Sequence, residues 1–197
     1  LPHLPRIVAA MVQLQLLTGA RPGEITSMRP IDITFGTDGV WTYRPATHKT
    51  QHRGKERRIF LGPNSQSILS SFLDRSPEDY CFSPAETQVE RNAKRRENRK
   101  SPMTPSQDAR SAVKRGGRRA GKRYSKDSYC RAITRACKAG GISKWSPSQL
   151  RHSRATVIRE RYGVEAAMVV LGHSDTGTTE IYAERNFELA ARIMAEV

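Results

Sequence analysis

Long apolar runs are missing from this chain. None approaches the roughly 20 residues a membrane-spanning helix needs, and no signal-peptide pattern opens the sequence. Cysteine is scarce: Cys81, Cys130 and Cys137 stand without metal-ligand spacing, so neither a disulfide framework nor a thiolate metal site is expected. Cys130 and Cys137 lie in a helical pattern and read as small core residues, which suits a reducing cytoplasm. Negative charge is also short. Asp and Glu total 19 against 34 Lys and Arg, giving a net charge of +15 and a sequence pI near 10.4. That imbalance favours a polyanion, of which nucleic acid is the commonest, and no membrane partner is expected. What remains is 37% hydrophobic over 197 residues, enough for one domain with a buried core.

The apolar residues recur with clear periods. Ile7, Met11 and Leu14, with Val8 beside them, predict a helix over 6–18 that Gly19 ends. A turn at 20–22 leads to a short helix at about 22–28. Strands are predicted at Ile31 to Phe35, Val40 to Arg44 and Arg57 to Leu61, the first two joined across Gly36-Thr37-Asp38-Gly39. The polar tip between the second and third strands carries Lys49 and Lys55. Helices follow at 65–74 and 126–139. Two more are predicted at 148–162, with Leu150, Val157 and Ile158 inward, and 164–171, with Val164, Ala167, Met168 and Leu171 on one face. The last, at 186–195, carries a stripe of Phe187, Ala190, Ala191 and Met194, read as core or as a docking surface for a neighbouring protomer. The fold class is thus mainly α with a small three-stranded antiparallel sheet. Residues 85–125 differ from the rest: Val89, Met103, Val113 and Tyr124 are their only large apolar side chains, and they read as a basic, flexible insertion. Arg91, Lys94, Arg95, Arg96, Lys114, Arg115, Arg118 and Arg119 there are candidate phosphate contacts.

Near the carboxyl end, Leu150-Arg151-His152 is followed by Leu171-Gly172-His173 and then Tyr182. An arginine fork, a histidine donor and a tyrosine hydroxyl are the parts needed to hold and attack a phosphodiester. Arg151 is expected in the first turn of its helix, where free backbone N–H groups also favour an anion. His152 points about 100° further round the helix and reads as a packed, hydrogen-bonded residue. Arg21, in the turn before the second helix, supplies a second arginine far away in sequence.

With Thr18-Gly19-Ala20-Arg21-Pro22-Gly23-Glu24-Ile25 near the start, these motifs resemble the tyrosine recombinases, the phage-integrase family, and the resemblance covers almost the whole chain. It implies a catalytic domain that cuts double-stranded DNA through a 3′-phosphotyrosyl link, with no cofactor and no metal. It implies that Arg21 and Arg151 clamp the phosphate and that Glu24 orients the site. Lys49, or Lys55 as runner-up, protonates the leaving 5′ oxygen, His173 donates to a phosphate oxygen, and Tyr182 is the nucleophile. It further implies an amino-terminal core-binding domain absent from this chain, a homotetramer on paired sites, and a cytoplasmic, DNA-associated protein. One position departs from the family: Ser148 stands where a histidine usually sits, three residues before Arg151. Serine cannot readily take the tyrosine's proton, so the alternative is a DNA-binding module of the same fold with weakened or lost cleavage. A type IB topoisomerase shares the chemistry, but the motif spellings look more like integrases.

Overall fold

The computed structural model describes residues 2–47, 54, 56–102, 104–107, 120–172 and 191–195. Lys49, Lys55, His173, Tyr182, Lys114, Arg115, Arg118 and Arg119 lie outside them.

Helix α1 (Arg6–Thr18) is the axis of the fold. Ile7, Val8, Met11 and Leu14 are fully or almost fully out of solvent. Each such side chain contributes about 1.5–3 kcal/mol relative to exposure. A helix this short is marginal alone in water, so packing against its neighbours holds it. Thr18 ends it by donating its hydroxyl to Leu14 O at 2.7 Å and accepting from the Ala20 amide at 3.2 Å. Gly19 takes the left-handed conformation, φ 65°, and a Cβ there would overlap the Leu171 side chain. Helix α2 (Pro22–Thr26) follows at once.

The sheet is antiparallel in the order β1 (Ile33–Thr34), β2 (Trp41–Tyr43), β3 (Ile59–Leu61). Ile33 pairs with Tyr43, and Tyr43 with Ile59, so all three bury one face. The strands are shorter than predicted. Pro30–Asp32 forms a 3-10 turn where the first strand was expected, tightened by Arg29 donating to both Asp32 carboxylate oxygens at 2.9 and 2.8 Å. Ile31 and Phe35 are left exposed. Arg57 lies outside the β3 ladder, its side chain buried.

Helix α3 (Pro63–Ser70) packs on α1. Helix α4 (Pro84–Glu97) occupies the first part of the basic stretch and buries no residue. Its stability is local. Ser83 caps it by accepting from the Ala85 amide, Pro84 opens it, Glu86 sits in the first turn, and Lys94, Arg95 and Arg96 sit in the last, all matched to the helix dipole. Arg6 ties α4 to α1 through Glu90 at 2.7 and 3.0 Å, and the Tyr124 hydroxyl donates to Thr87 at 2.8 Å. Both described ends of the stretch are therefore anchored.

Helix α5 (Lys126–Ala139) buries Tyr129, Ile133 and Cys137 against α1 and α2. Helix α6 (Pro147–Leu171) joins the two helices expected there across Gly163, whose φ of 88° and ψ of 171° break the helical path. Its inward residues differ in part from the expected set. Val157 and Val164 are exposed, and Ile158, Ala166, Ala167, Val170 and Leu171 form a second cluster with Ile193 and Met194. Residues 191–195 are helical, and Met194 is buried within its own chain. Cys81 and Cys137 are buried free thiols, Cys130 is half-buried and free, and burial pushes the Cys81 thiol up to about 12.

Candidate active site

The end of α1, the start of α2, the approach to β3 and both ends of α6 converge on one point. Arg21 is the residue before α2, with extended backbone, and Pro22 presets the first helical φ. The Arg21 amide donates to Glu24 Oε2 at 2.7 Å and its Nη1 to Glu24 Oε1 at 2.8 Å. One carboxylate thus fixes both the turn and the guanidinium. Glu24 is buried, and its backbone carbonyl accepts from the Tyr43 hydroxyl at 2.8 Å. Burial alone would raise its carboxyl. The ion pair with Arg57 and the hydrogen bonds from Arg21 outweigh this and hold it below the usual range.

Arg151 is the fifth residue of α6, not a first-turn residue, because the helix begins at Pro147, with Ser146 before it. The Ser146 amide donates to Gln149 Oε1 at 2.6 Å and closes that end. Arg151 therefore sits in the second turn. Its Nη1 donates to Gly19 O at 2.7 Å and its Nη2 to Leu171 O at 2.5 Å. Desolvation first, then the charges of Arg57 and Arg21, lower its pKa to about 10, with Glu24 opposing, so it remains cationic at neutral pH. Ser148 is exposed on the first turn of α6. His152 is exposed as well, contrary to the packed role expected of it, because the inward positions of that turn are Arg151 and Arg154.

Two further residues complete the frame. Arg57, 5% exposed, lies 3.4 Å from Glu24 Oε1 through Nε and donates from Nη1 to Val170 O at 3.2 Å. Gln15 is fully buried and donates to Ala20 O at 3.1 Å and Pro147 O at 2.9 Å, while its Oε1 accepts from the Tyr129 hydroxyl at 3.1 Å. It locks the Arg21 turn to the start of α6. The sequence reading missed both, although the signal was there. Arg57 is in phase with the inward Ile59 and Leu61 at the strand period of two, and Gln15 follows Met11 by one helical turn. Lys126 was also missed. Its side chain lies over Gly23, where an added Cβ would stand 2.7 Å from Lys126 Cε, so an exposed ammonium borders the Arg21 turn.

Among the described residues, three guanidiniums, Arg21, Arg57 and Arg151, surround a single carboxylate, Glu24. The excess positive charge, held in fixed, partly desolvated geometry, suits a bound anion. Arg91, Lys94, Arg95 and Arg96 are exposed on α4, and the first three line a groove of about 340 Å³ with Arg6, Glu90 and Asn98. No described helix is long and apolar enough to cross a membrane.

Residues 5–188 match the sequence model of the phage integrase family. The chain belongs to that family. It is 28% identical over 183 residues to a tyrosine recombinase XerC of Bifidobacterium longum subsp. infantis, a match covering 91% of this chain and 44% of the relative. Among solved structures it resembles the XerH site-specific recombinase in a pre-cleavage complex with its difH substrate. There the TM-score is 0.51 at 16% identity, over 93% of this chain and 46% of that one, which shows a shared fold. The chain spans less than half the length of either relative. The mainly helical architecture with a three-stranded antiparallel sheet is that of the phage integrase family's catalytic domain.

Proposed function

We propose that this chain is the catalytic domain of a site-specific DNA recombinase that cuts and rejoins double-stranded DNA through a 3′-phosphotyrosyl link. The observation that carries the reading is the cluster of three guanidiniums around Glu24, which lies within the residues that match the family. Cleavage needs stabilisation of a pentacoordinate phosphorane whose equatorial oxygens are charged. Preorganised donors do this without reorganising, and each one lost typically costs on the order of 3 kcal/mol of barrier.

In the proposed reaction Arg21 and Arg151 bind the two non-bridging oxygens and His173 adds a donor. The Tyr182 hydroxyl oxygen bonds to phosphorus as the bond from phosphorus to the 5′ oxygen breaks. Lys49, or Lys55, gives the 5′ oxygen its proton, and the tyrosine proton passes to water or a neighbouring side chain. Religation runs the same steps backwards, so the phosphodiester's energy is conserved and neither metal nor energy cofactor is required. Lys126 and the exposed cations of α4, with Lys114, Arg115, Arg118 and Arg119, contact flanking phosphates, which position DNA without reading its sequence. That the XerH structure is a DNA complex supports a duplex substrate. Action within a longer protein with a core-binding domain, as a homotetramer on paired sites in the cytoplasm, belongs to the same reading.

The exposed Ser148 favours a second reading, a DNA-binding module that has lost cleavage. The two separate on a nicked suicide duplex carrying the natural site, incubated in chelator. A covalent protein–DNA adduct on a denaturing gel, absent in Tyr182→Phe, supports the recombinase. Tight, salt-sensitive binding with no adduct, unrescued by Ser148→His, supports the binding module.

A further inference from the structure

Arg57 is a buried cation that no motif assigned, and its surroundings do more than balance charge. Nη1 donates to Val170 O at 3.2 Å, and the next carbonyl along, Leu171 O, accepts from Arg151. The last two carbonyls of α6 are therefore each taken by an arginine from a different part of the chain, at the negative end of the helix dipole. Gly172 follows in the left-handed conformation, φ 62°, and a Cβ there would stand 2.5 Å from Arg57 Nη1 and 3.2 Å from its Cζ. The guanidinium lies directly on the residue that precedes His173. Its Nε faces Glu24, whose two oxygens already hold the Arg21 backbone and side chain.

Charge balance alone does not require this arrangement. Arg21 already pairs with Glu24 at 2.8 Å. Arg57 Nε and Nη2 are buried without a hydrogen-bond partner among the described residues, so desolvation disfavours its charge. A buried charge of this kind is often no better for stability than an apolar side chain of similar volume. A planar fork can span Glu24 and the end of α6 at once, which a single ammonium cannot do.

We propose that Arg57 is a positioning residue: it fixes the carboxyl end of α6, and so the point where the chain enters His173, relative to Glu24 and the Arg21 turn. The inference rests on the reading of Arg21, Arg151, His173 and Tyr182 as phosphodiester machinery. Its structural half stands without that reading.

Two measurements on the full-length protein test it. The first is hydrogen exchange at Leu171 and Gly172, where the Gly172 amide donates to Val169 O at 3.1 Å. Arg57→Lys should exchange roughly five- to tenfold faster there than wild type, while Glu24→Gln should change it less than twofold. Unchanged exchange in Arg57→Lys overturns the proposal whether or not the protein cleaves DNA. The second is single-turnover adduct formation at saturating suicide duplex. Arg57→Lys should be slower by on the order of 100-fold, the usual cost of a small misplacement, with DNA affinity within about twofold. Should Arg57→Lys fail to fold, the charge-balanced Glu24→Gln/Arg57→Met protein replaces it and is compared with Glu24→Gln alone. A further loss of at least about tenfold supports positioning. Equal rates would make Arg57 a mere counter-ion and overturn the proposal.

Discussion

Replacing Gln15 by leucine should unfold this domain far more easily than its place in an apolar helix suggests. The side chain is fully buried and satisfies three groups: Ala20 O, Pro147 O and the Tyr129 hydroxyl. Leucine has similar volume but leaves Ala20 O and the Tyr129 hydroxyl without this partner, and leaves Pro147 O with only its helical bond from the Arg151 amide. Each orphaned buried polar group costs about 1–3 kcal/mol and the lost second donor to Pro147 O about 1 kcal/mol, so the gross loss is roughly 3–7 kcal/mol. Better burial of the leucine returns up to about 2 kcal/mol. The net destabilisation is therefore about 3 kcal/mol, a large share of the roughly 5–15 kcal/mol that holds a typical domain. Urea unfolding followed by the fluorescence of Trp41 and Trp145 measures it. Gln15→Glu gives a pH signature as well. Its carboxylate would face two carbonyl oxygens in the interior, so its folded pKa should lie above the ordinary carboxylate value of about 4.3. The variant should approach wild-type stability below that pH and lose it as pH rises through the raised folded value. A change under about 1 kcal/mol for Gln15→Leu, or a pH-independent penalty for Gln15→Glu, would refute the reasoning.

Three other outcomes are expected. Glu24 has a depressed folded pKa, so its contribution to stability is present above the unfolded carboxylate value and is lost as pH falls through the folded one. Thermal unfolding of Glu24→Gln should accordingly vary less with pH on the acid side than wild type, and parallel curves would contradict this. Lys126→Ala should weaken binding to duplex DNA and lower the slope of log affinity against log salt by about one, and an unchanged slope would remove Lys126 from the interface. The triple variant Arg91→Ala, Lys94→Ala, Arg95→Ala should lower that slope by about three and leave adduct formation at saturating DNA within about twofold, since phosphate contacts position rather than react. A defect that persists at saturation would place α4 in the chemistry.

The helices with strong apolar stripes were legible to within a residue: α1 and α5 coincide with the predicted 6–18 and 126–139. The strands were overdrawn because their flanking residues serve other ends, Arg29 and Asp32 in a 3-10 turn and Arg57 in a buried ion pair. Helix α4 escaped notice because nothing in it is buried, and capping, dipole matching and the Arg6–Glu90 anchor leave no hydrophobic period to read. Arg21, Glu24 and Arg151 were legible because their motifs are local. Arg57 and Gln15 belong to the same frame but are tied to it by partners more than a hundred residues away, and such pairing leaves only a polar residue in phase with apolar ones.

The central claim is that Tyr182 becomes covalently joined to a DNA 3′ phosphate. The most direct test is to trap the adduct, digest the DNA with nuclease and the protein with trypsin, and fragment the peptide spanning residues 162–185, which contains both Tyr162 and Tyr182. The account predicts a nucleotide phosphate on Tyr182 and none on Tyr162. An adduct on Tyr162, on any other residue, or joined through a 5′ phosphate would contradict it.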